Sequence, residues 1–366
     1  DRIKYLYQEN AGESAARQQG VEYARGDLLA FLDSDDIWLP EKLARQIDVL
    51  LAHPESGFVY CWACTINGAG EDTRLLPLGY GIDLVGKNIG QLLENNFIVA
   101  PGSSLVVKRN AYDAIDGFDH TIQFAEDWDF CLRLASRYPF ACLPIPLLQV
   151  RLHKRGWLQQ HKNLERMLQD HLYIIDKFVQ NTSMRLDTLM HSAIRSEANR
   201  YARAAFEHLA YGQPEIGREL LAHACVLAPD TWGERNLFMR RVAEFATLLS
   251  DDGDDTPSLA FAELLASNLP ECLVSVGVTA PLIRAQTHKV LANFYEQVSD
   301  KGAVRRNILQ AVRHNPALLR NRGAASLFFR SLTGRIKEER PRQCKEFDGR
   351  NEVIVADFRL ERIGGD

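Results

Sequence analysis

Apolar and polar residues alternate in two rhythms over the first 155 positions. Short apolar runs are separated by stretches in which apolar residues recur every three to four positions, the pattern of strands interleaved with helices. Residues 3–8 (IKYLYQ) read as a strand. Residues 12–24 read as a helix, with Ala15, Ala16, Gln19 and Tyr23 at helical spacing and Gly26 ending it. Residues 28–33 (LLAFLD) are an apolar run that predicts a strand buried on both faces. Pro40 suits the first turn of a helix, and Leu43, Ile47, Leu50 and Leu51 follow as an apolar stripe. Residues 57–66 and 103–109 predict further strands, and 68–86 are glycine-rich and irregular. Residues 126–138 predict a helix that starts on a carboxylate cluster. Residues 140–153 predict a strand or strand pair broken by two prolines.

Past residue 157 the strand rhythm stops. Residues 158–179 read as one long helix. Residues 193–211 and 215–227 read as a helix pair closed by Pro229, and 284–298 and 303–314 as a second pair closed by Pro316. The pairs align at a fixed offset: Ala205 with Ala292, Leu221 with Ile308, Ala224 with Ala311. Small residues at a close helix crossing resemble a tetratricopeptide-type hairpin. Residues 251–258 (DDGDDTPS) read as an exposed acidic loop. The expected layout is an α/β domain over 1–155, a helical region over 156–334 and a tail over 335–366.

A chain of 366 residues suits two or three domains. A net charge of −5 gives no global attraction to nucleic acid. The sign is uneven, however: residues 301–350 hold thirteen Lys or Arg against four Asp or Glu. That basic segment suits contact with anionic lipid or a phosphate-bearing acceptor, or simply a solvated helical surface. Seven scattered cysteines imply no disulfide framework and favour a reducing compartment. Cys61 and Cys64 have metal-like spacing but follow a strand pattern, which favours buried strand thiols. No apolar run reaches the roughly 20 residues of a membrane-crossing helix, and no secretory leader is read. The expectation is a cytoplasmic chain whose basic segment can touch the inner face of a membrane.

Candidate chemistry begins where the apolar run at 28–32 meets Asp33, Ser34, Asp35 and Asp36. Ligands of open α/β sheets sit outside the carboxyl ends of parallel strands. Three carboxylates in four residues repel one another, and a hard divalent cation such as Mn²⁺ or Mg²⁺ relieves that repulsion. Such an ion keeps one or two protein carboxylates and fills its shell with substrate phosphate and water. The alternative is that Asp36 starts the next helix while the other two are solvated.

The order of motifs resembles family 2 of the inverting glycosyltransferases, which have the GT-A fold and use nucleotide-sugar donors. Asn10, Gly12, Ala16, Arg17, Gly20, Asp33, Asp35, Asp36, Trp38 and Pro40 match its first block; Gln18 stands where the family usually has Asn. A second block, 100–135, matches its glycine loop, strand, Gly-Phe-Asp turn and Glu-Asp pair. The fold class implied is an α/β, GT-A-type domain followed by an all-α C-terminal region. By resemblance, Asn10, Gly12, Arg17, Asp33, Ser34 and Gly102 contribute to donor binding. Arg17 faces the nucleotide or diphosphate, and Gly102 lets backbone approach a sugar. Asp35, with Asp33 and His153, is implied as the metal site. Asp127 is implied as the catalytic base, with Glu126 orienting it or contacting the acceptor. A helix-start role is the competing reading for Glu126, Asp127 and Asp129. The acceptor implied is a glycan or a lipid-linked glycan of cell-envelope polysaccharide synthesis.

The family's domain normally opens with a strand–helix–strand ending in an acidic turn. The expectation here is a domain without that segment, and donor binding weakened accordingly. Two other readings remain at the level of sequence. One is a non-catalytic interaction protein built on a degenerate glycosyltransferase domain and a helical scaffold. The other is a metal-dependent nucleotidyltransferase, which shares the carboxylate logic.

Overall fold

A computed structural model describes residues 3–66, 68, 70, 89–94, 96–151, 164–181, 186–250, 254–297, 300–333 and 354–356. The elements run α1 (Glu13–Tyr23), β1 (Leu28–Ala30), β2 (Ile37–Trp38), α2 (Lys42–Ala52), β3 (Phe58–Ile66) and α3 (Ile89–Glu94). There follow α4 (Pro101–Ser104), β4 (Val106–Lys108), α5 (Arg109–Asp113), α6 (Glu126–Ala135) and β5 (Phe140–Arg151). The remainder is α7 (Leu164–Asn181), α8 (Leu186–Ala210), α9 (Pro214–Leu227), α10 (Arg235–Leu249), α11 (Thr256–Ser267), α12 (Glu271–Ser275), α13 (Ala280–Gln297), α14 (Lys301–His314), α15 (Arg322–Thr333) and β6 (Ile354–Ala356). The chain forms two compact units, residues 1–193 with 344–366, and residues 194–343. The first unit runs past residue 155 because Ile174 and Phe178 of α7 are buried in its core.

The first unit is built on a mixed sheet in the order β1-β4-β3-β5-β2, with β6 added along β5. Only β3 and β5 run parallel; the other pairs are antiparallel. β3 is buried on both faces because its side chains alternate. Phe58 and Tyr60 enter a core completed by Tyr112, Phe130 and Phe140. Val59, Cys61 and Ala63 enter a second core with Val49 and Leu50 of α2. Cys61 and Cys64 are therefore buried strand thiols.

Four expectations change. Residues 3–8 pair with no strand among the described residues, and Ile3, Tyr5 and Tyr7 are 88%, 86% and 77% exposed. Extended chain without a neighbour has no ladder to hold it. β1 is three residues long and an edge strand, buried at Leu29 alone, so it is not covered on both faces. The stripe on α2 is rotated: the buried side is Lys42, Gln46, Val49 and Leu50, while Leu51 is 74% exposed. β5 runs unbroken through Pro144 and Pro146, because the register with β3 shifts at Trp62 and the extra residues are taken up as a bulge.

The second unit is helical. Ala205, Leu221, Ala224, Ala292, Ile308 and Ala311 are all fully buried, as their alignment at helix crossings implies. Gly217 of α9 has the same cause: a Cβ there would lie 2.7 Å from Leu209 and 2.9 Å from the Ala205 carbonyl oxygen. Of the expected acidic loop, 251–253 lie outside the described residues. Asp255 is not simply solvated; it accepts the Tyr295 hydroxyl at 2.7 Å and an Asn307 amide N–H at 3.1 Å.

Candidate active site

Four elements bring polar groups to one place. α1 buries Ser14 and Val21; of Ala15, Ala16, Gln19 and Tyr23, the first and third are half-buried and the others exposed, and Arg17 lies on the inward side with 11% of its side chain exposed. Arg17 Nη2 donates to Asp33 Oδ1 at 2.8 Å, and Nη1 donates to Glu126 Oε1 at 2.7 Å. Burial works against this charge, but Asp33 and Glu126 outweigh it and hold the guanidinium pKa above its ordinary value. Phe118 lies beneath it, 5.4 Å from ring centre to guanidinium carbon. Gln18, the departure from the family pattern, accepts the Tyr112 hydroxyl of α5 at 2.5 Å.

Asp33 opens the tight turn from β1 to β2, closed by Asp36 N–H donating to the Asp33 carbonyl at 3.1 Å. α4 braces this turn. Ser103 Oγ accepts the Asp33 N–H at 3.0 Å, and the Ser103 carbonyl accepts Trp38 Nε1–H at 2.8 Å. Gly102 stands where the ion pair comes closest. A Cβ there would be 2.5 Å from Asp33 Oδ2 and 2.7 Å from Arg17 Nη2. Its nearest neighbours are thus the protein's own charged groups.

Asp36 does not start α2, whose cap position is Glu41. It accepts the Arg151 N–H at 3.1 Å, and burial, then the charges of Asp33 and Asp35, push its carboxyl pKa up against hydrogen bonds from Ser103 and Arg151. Arg151 Nε also donates to the Asp35 carbonyl at 3.0 Å, so the end of β5 clamps the acidic turn. Ser103 and Arg151 were not singled out from sequence. Their signal was only positional: one follows the glycine loop, the other closes the last strand.

Glu126 and Asp127 open α6. The preceding Ala125 has φ 61° and offers no capping side chain, while Glu126, Asp127 and Asp129 all lie in the first turn, as the helix-start reading expects. Glu126 is buried, held by Arg17. The Asp127 carboxyl is pushed up to about 7, first by burial and then by the Glu126 charge, against the pull of Arg17. Asp129 faces elsewhere, paired with Arg133 at 2.6 Å and Lys177 at 3.0 Å. Asn10 and Gly12 are exposed at the entry to α1, where Asn10 Oδ1 accepts the Gly12 N–H at 3.1 Å. Ser34 is exposed on the turn. His153 lies outside the described residues.

Arg17, Asp33, Gly102, Glu126 and Asp127 are thus gathered, while Asp35 and Asp36 sit on the adjoining turn. Among the described residues no three His, Cys, Asp or Glu are arranged to hold a metal ion. Asp33 is committed to Arg17 through Oδ1, and Asp35 is half-buried on the same turn.

A family model described as glycosyltransferase like family 2 matches residues 2–204, more than half of the chain. The chain belongs to this family. A protein of Methanocaldococcus jannaschii named as an uncharacterized glycosyltransferase is 28% identical over 157 residues, covering 42% of this chain and 52% of that one. One from Haemophilus influenzae, similarly named, is 28% identical over 149 residues, covering 40% and 49%. An uncharacterized protein of Mycobacterium tuberculosis is 32% identical over 154 residues, covering 41% and 42%. The chain spans about half the length of these relatives. The whole gathered site of this glycosyltransferase-family chain lies inside the matched region. Among the described residues no helix is long and apolar enough to cross a membrane.

Proposed function

We propose that this chain carries the site of an inverting sugar transfer from a nucleotide-diphospho-sugar donor to a hydroxyl of a glycan or lipid-linked acceptor. The observation that carries the reading is the Arg17 side chain, which ties the donor turn at Asp33 to Glu126, the neighbour of Asp127. The raised Asp127 carboxyl suits a general base working near neutral pH. In the transfer, Asp127 takes the proton of the acceptor hydroxyl. The acceptor oxygen forms its bond to the anomeric carbon from the face opposite the leaving group. The bond from that carbon to the diphosphate oxygen breaks, and its electron pair departs with the nucleoside diphosphate. Asp127 then returns its proton to solvent. Asp35 and Asp33 would hold Mn²⁺ or Mg²⁺ beside the diphosphate, where the ion supplies neutralisation of the leaving charge. Arg17 keeps Asp33 and Glu126 apart yet fixed, so the donor side and the base keep one geometry. Lipid-linked acceptors and contact with a membrane through the basic 301–350 segment belong to the same proposal.

The test is transfer from a panel of nucleotide sugars, with Mn²⁺ or Mg²⁺, by the natural protein and its Asp127→Asn variant. Loss of about 10²–10⁴-fold in kcat with retained nucleoside diphosphate binding is expected. Full transfer by Asp127→Asn would remove the base assignment. Absence of any diphosphate-induced thermal shift in the natural protein would favour the non-catalytic reading.

A further inference from the structure

Beneath the acidic turn lies a cation that the proposed chemistry does not use. Lys42, the first residue of α2, is fully buried, and among the described residues its Nζ has no hydrogen-bond partner. The ammonium rests on the Trp38 indole, 4.4 Å from the ring centre. Burying an unpaired ammonium is costly, because water's hydrogen bonds are lost and nothing of opposite charge replaces them. One turn further along α2, Gln46 donates to the Ser104 carbonyl at 2.8 Å and to the Val59 carbonyl at 3.3 Å. The Gln46 side-chain oxygen and the Ser104 hydroxyl are likewise buried without partners. Cys61 Sγ donates to the same Ser104 carbonyl at 3.8 Å. Three unsatisfied polar atoms therefore cluster where α2, β3 and α4 meet.

Among the described residues, this seam connects to the site through Trp38. Trp38 donates from Nε1 to the Ser103 carbonyl, and Ser103 Oγ accepts the Asp33 N–H. The indole is thus gripped from both sides, by the Lys42 cation on its face and by Ser103 at its edge. An electron-rich indole face attracts a desolvated cation more strongly than an exposed one. We propose that Lys42 is a positioning residue of the donor site: its buried ammonium seats Trp38, and Trp38 through Ser103 sets the Asp33–Asp36 turn. The inference rests on the donor-site reading above for its consequence, though not for the seat itself.

Burial pushes the Lys42 ammonium down to about 8. The titratable group facing it is Cys61 of β3, whose thiol burial pushes up to about 11, so it stays neutral while Lys42 titrates. Because the folded pKa lies below the ordinary lysine value, the unfolded chain binds more protons between about pH 8 and 10.5, and stability contributed by this group rises with pH across that window. The seat on Trp38, which needs the charge, is lost as pH rises through about 8.

The experiment compares the natural protein with Lys42→Met and Trp38→Phe. Thermal unfolding from pH 7 to 10 and Trp fluorescence over the same range read the seat. Calorimetric binding of UDP and GDP with Mn²⁺ reads the turn. A structural filler would gain stability on losing its charge and leave binding alone. The proposal expects Lys42→Met to have a higher Tm at pH 7, to lose the pH-dependent fluorescence change, and to bind diphosphate about tenfold more weakly. Trp38→Phe, which removes the N–H to Ser103, is expected to show the same loss of affinity and serves if Lys42→Met does not fold. Diphosphate affinity within twofold of the natural protein in both variants overturns the proposal. If the natural protein binds no diphosphate, the donor-site reading fails. A fluorescence change through pH 8 that Lys42→Met leaves intact would then still overturn the seat.

Discussion

As the base of the proposed transfer, Asp127 would couple its rate to the acidity of the medium. Its carboxyl lies near 7 because burial and the neighbouring Glu126 charge both oppose ionisation. The folded pKa is above the unfolded value of 3.8, so the folded state holds its proton more firmly. The sign for stability follows: this group's contribution is full below about pH 4 and is lost as pH rises toward 7. The proposed catalysis runs the other way, because a base must be ionised. The expected transfer rate therefore climbs through about pH 7 under kcat/KM conditions. Asp127→Asn cannot ionise, so it is expected to be more stable than the natural protein at pH 8, by about 2 kcal/mol after allowing for partial solvent contact, and equal to it near pH 4. Denaturant titrations at the two pH values measure the difference. An equal stability gap at both would place the strain elsewhere than in this carboxyl.

Arg17 makes α1, β1 and α6 act as one element. A guanidinium can give separate nitrogens to two carboxylates, whereas an ammonium is a point donor without that fork. Arg17→Lys is thus expected to satisfy half-exposed Asp33 or buried Glu126 but not both, and loss of the Glu126 partner leaves a buried carboxylate uncompensated. The expected cost is about 2–4 kcal/mol in stability, with kcat/KM for transfer down by about 10²-fold. Adding Glu126→Gln to Arg17→Lys removes the orphaned charge and is expected to recover most of the stability without the activity. Urea melts of the single and double variants decide this; a double variant no more stable than Arg17→Lys would show that Glu126 is not the charge Arg17 neutralises. The same elements show how far the sequence could be read. Helix α6 and strand β3 were legible because their periodicity is strong and their apolar side faces a core. The gathering of Asp33, Gly102, Glu126 and Asp127 was legible through the family resemblance. The bracing by Ser103 and Arg151 was not, since a serine and an arginine carry no local pattern that announces a partner 70 or 115 residues away. Helix α2 is rotated from its expected face: Leu50 is buried as periodicity implies, but periodicity counts Leu51 as core and Lys42 as surface, and the packing reverses those two.

At the scale of the whole molecule, the two compact units have separate kinds of core. The first is a sheet covered on both faces. The second is a set of helices packed through alanines and closed by aromatic contacts, in which Phe206 meets Phe238, Phe245 and Phe261 at ring separations of 6.1, 5.2 and 5.4 Å. Its crossings leave no room: Ala292 of α13 is fully buried beside Ala303 and Ile308 of α14. Ala292→Leu would force larger side chains into that contact, at a cost of about 1–3 kcal/mol. Cores of this kind melt as cooperative blocks, so the loss is expected in the helical unit, while any thermal shift that UDP or GDP with Mn²⁺ produces under the proposed function is expected in the sheet unit that carries Arg17 and Asp33. Scanning calorimetry is therefore expected to show the variant's helical transition at a lower temperature and an unchanged ligand-induced shift of the other. A ligand shift that shrinks with Ala292→Leu would overturn the assignment of the two transitions to separate units.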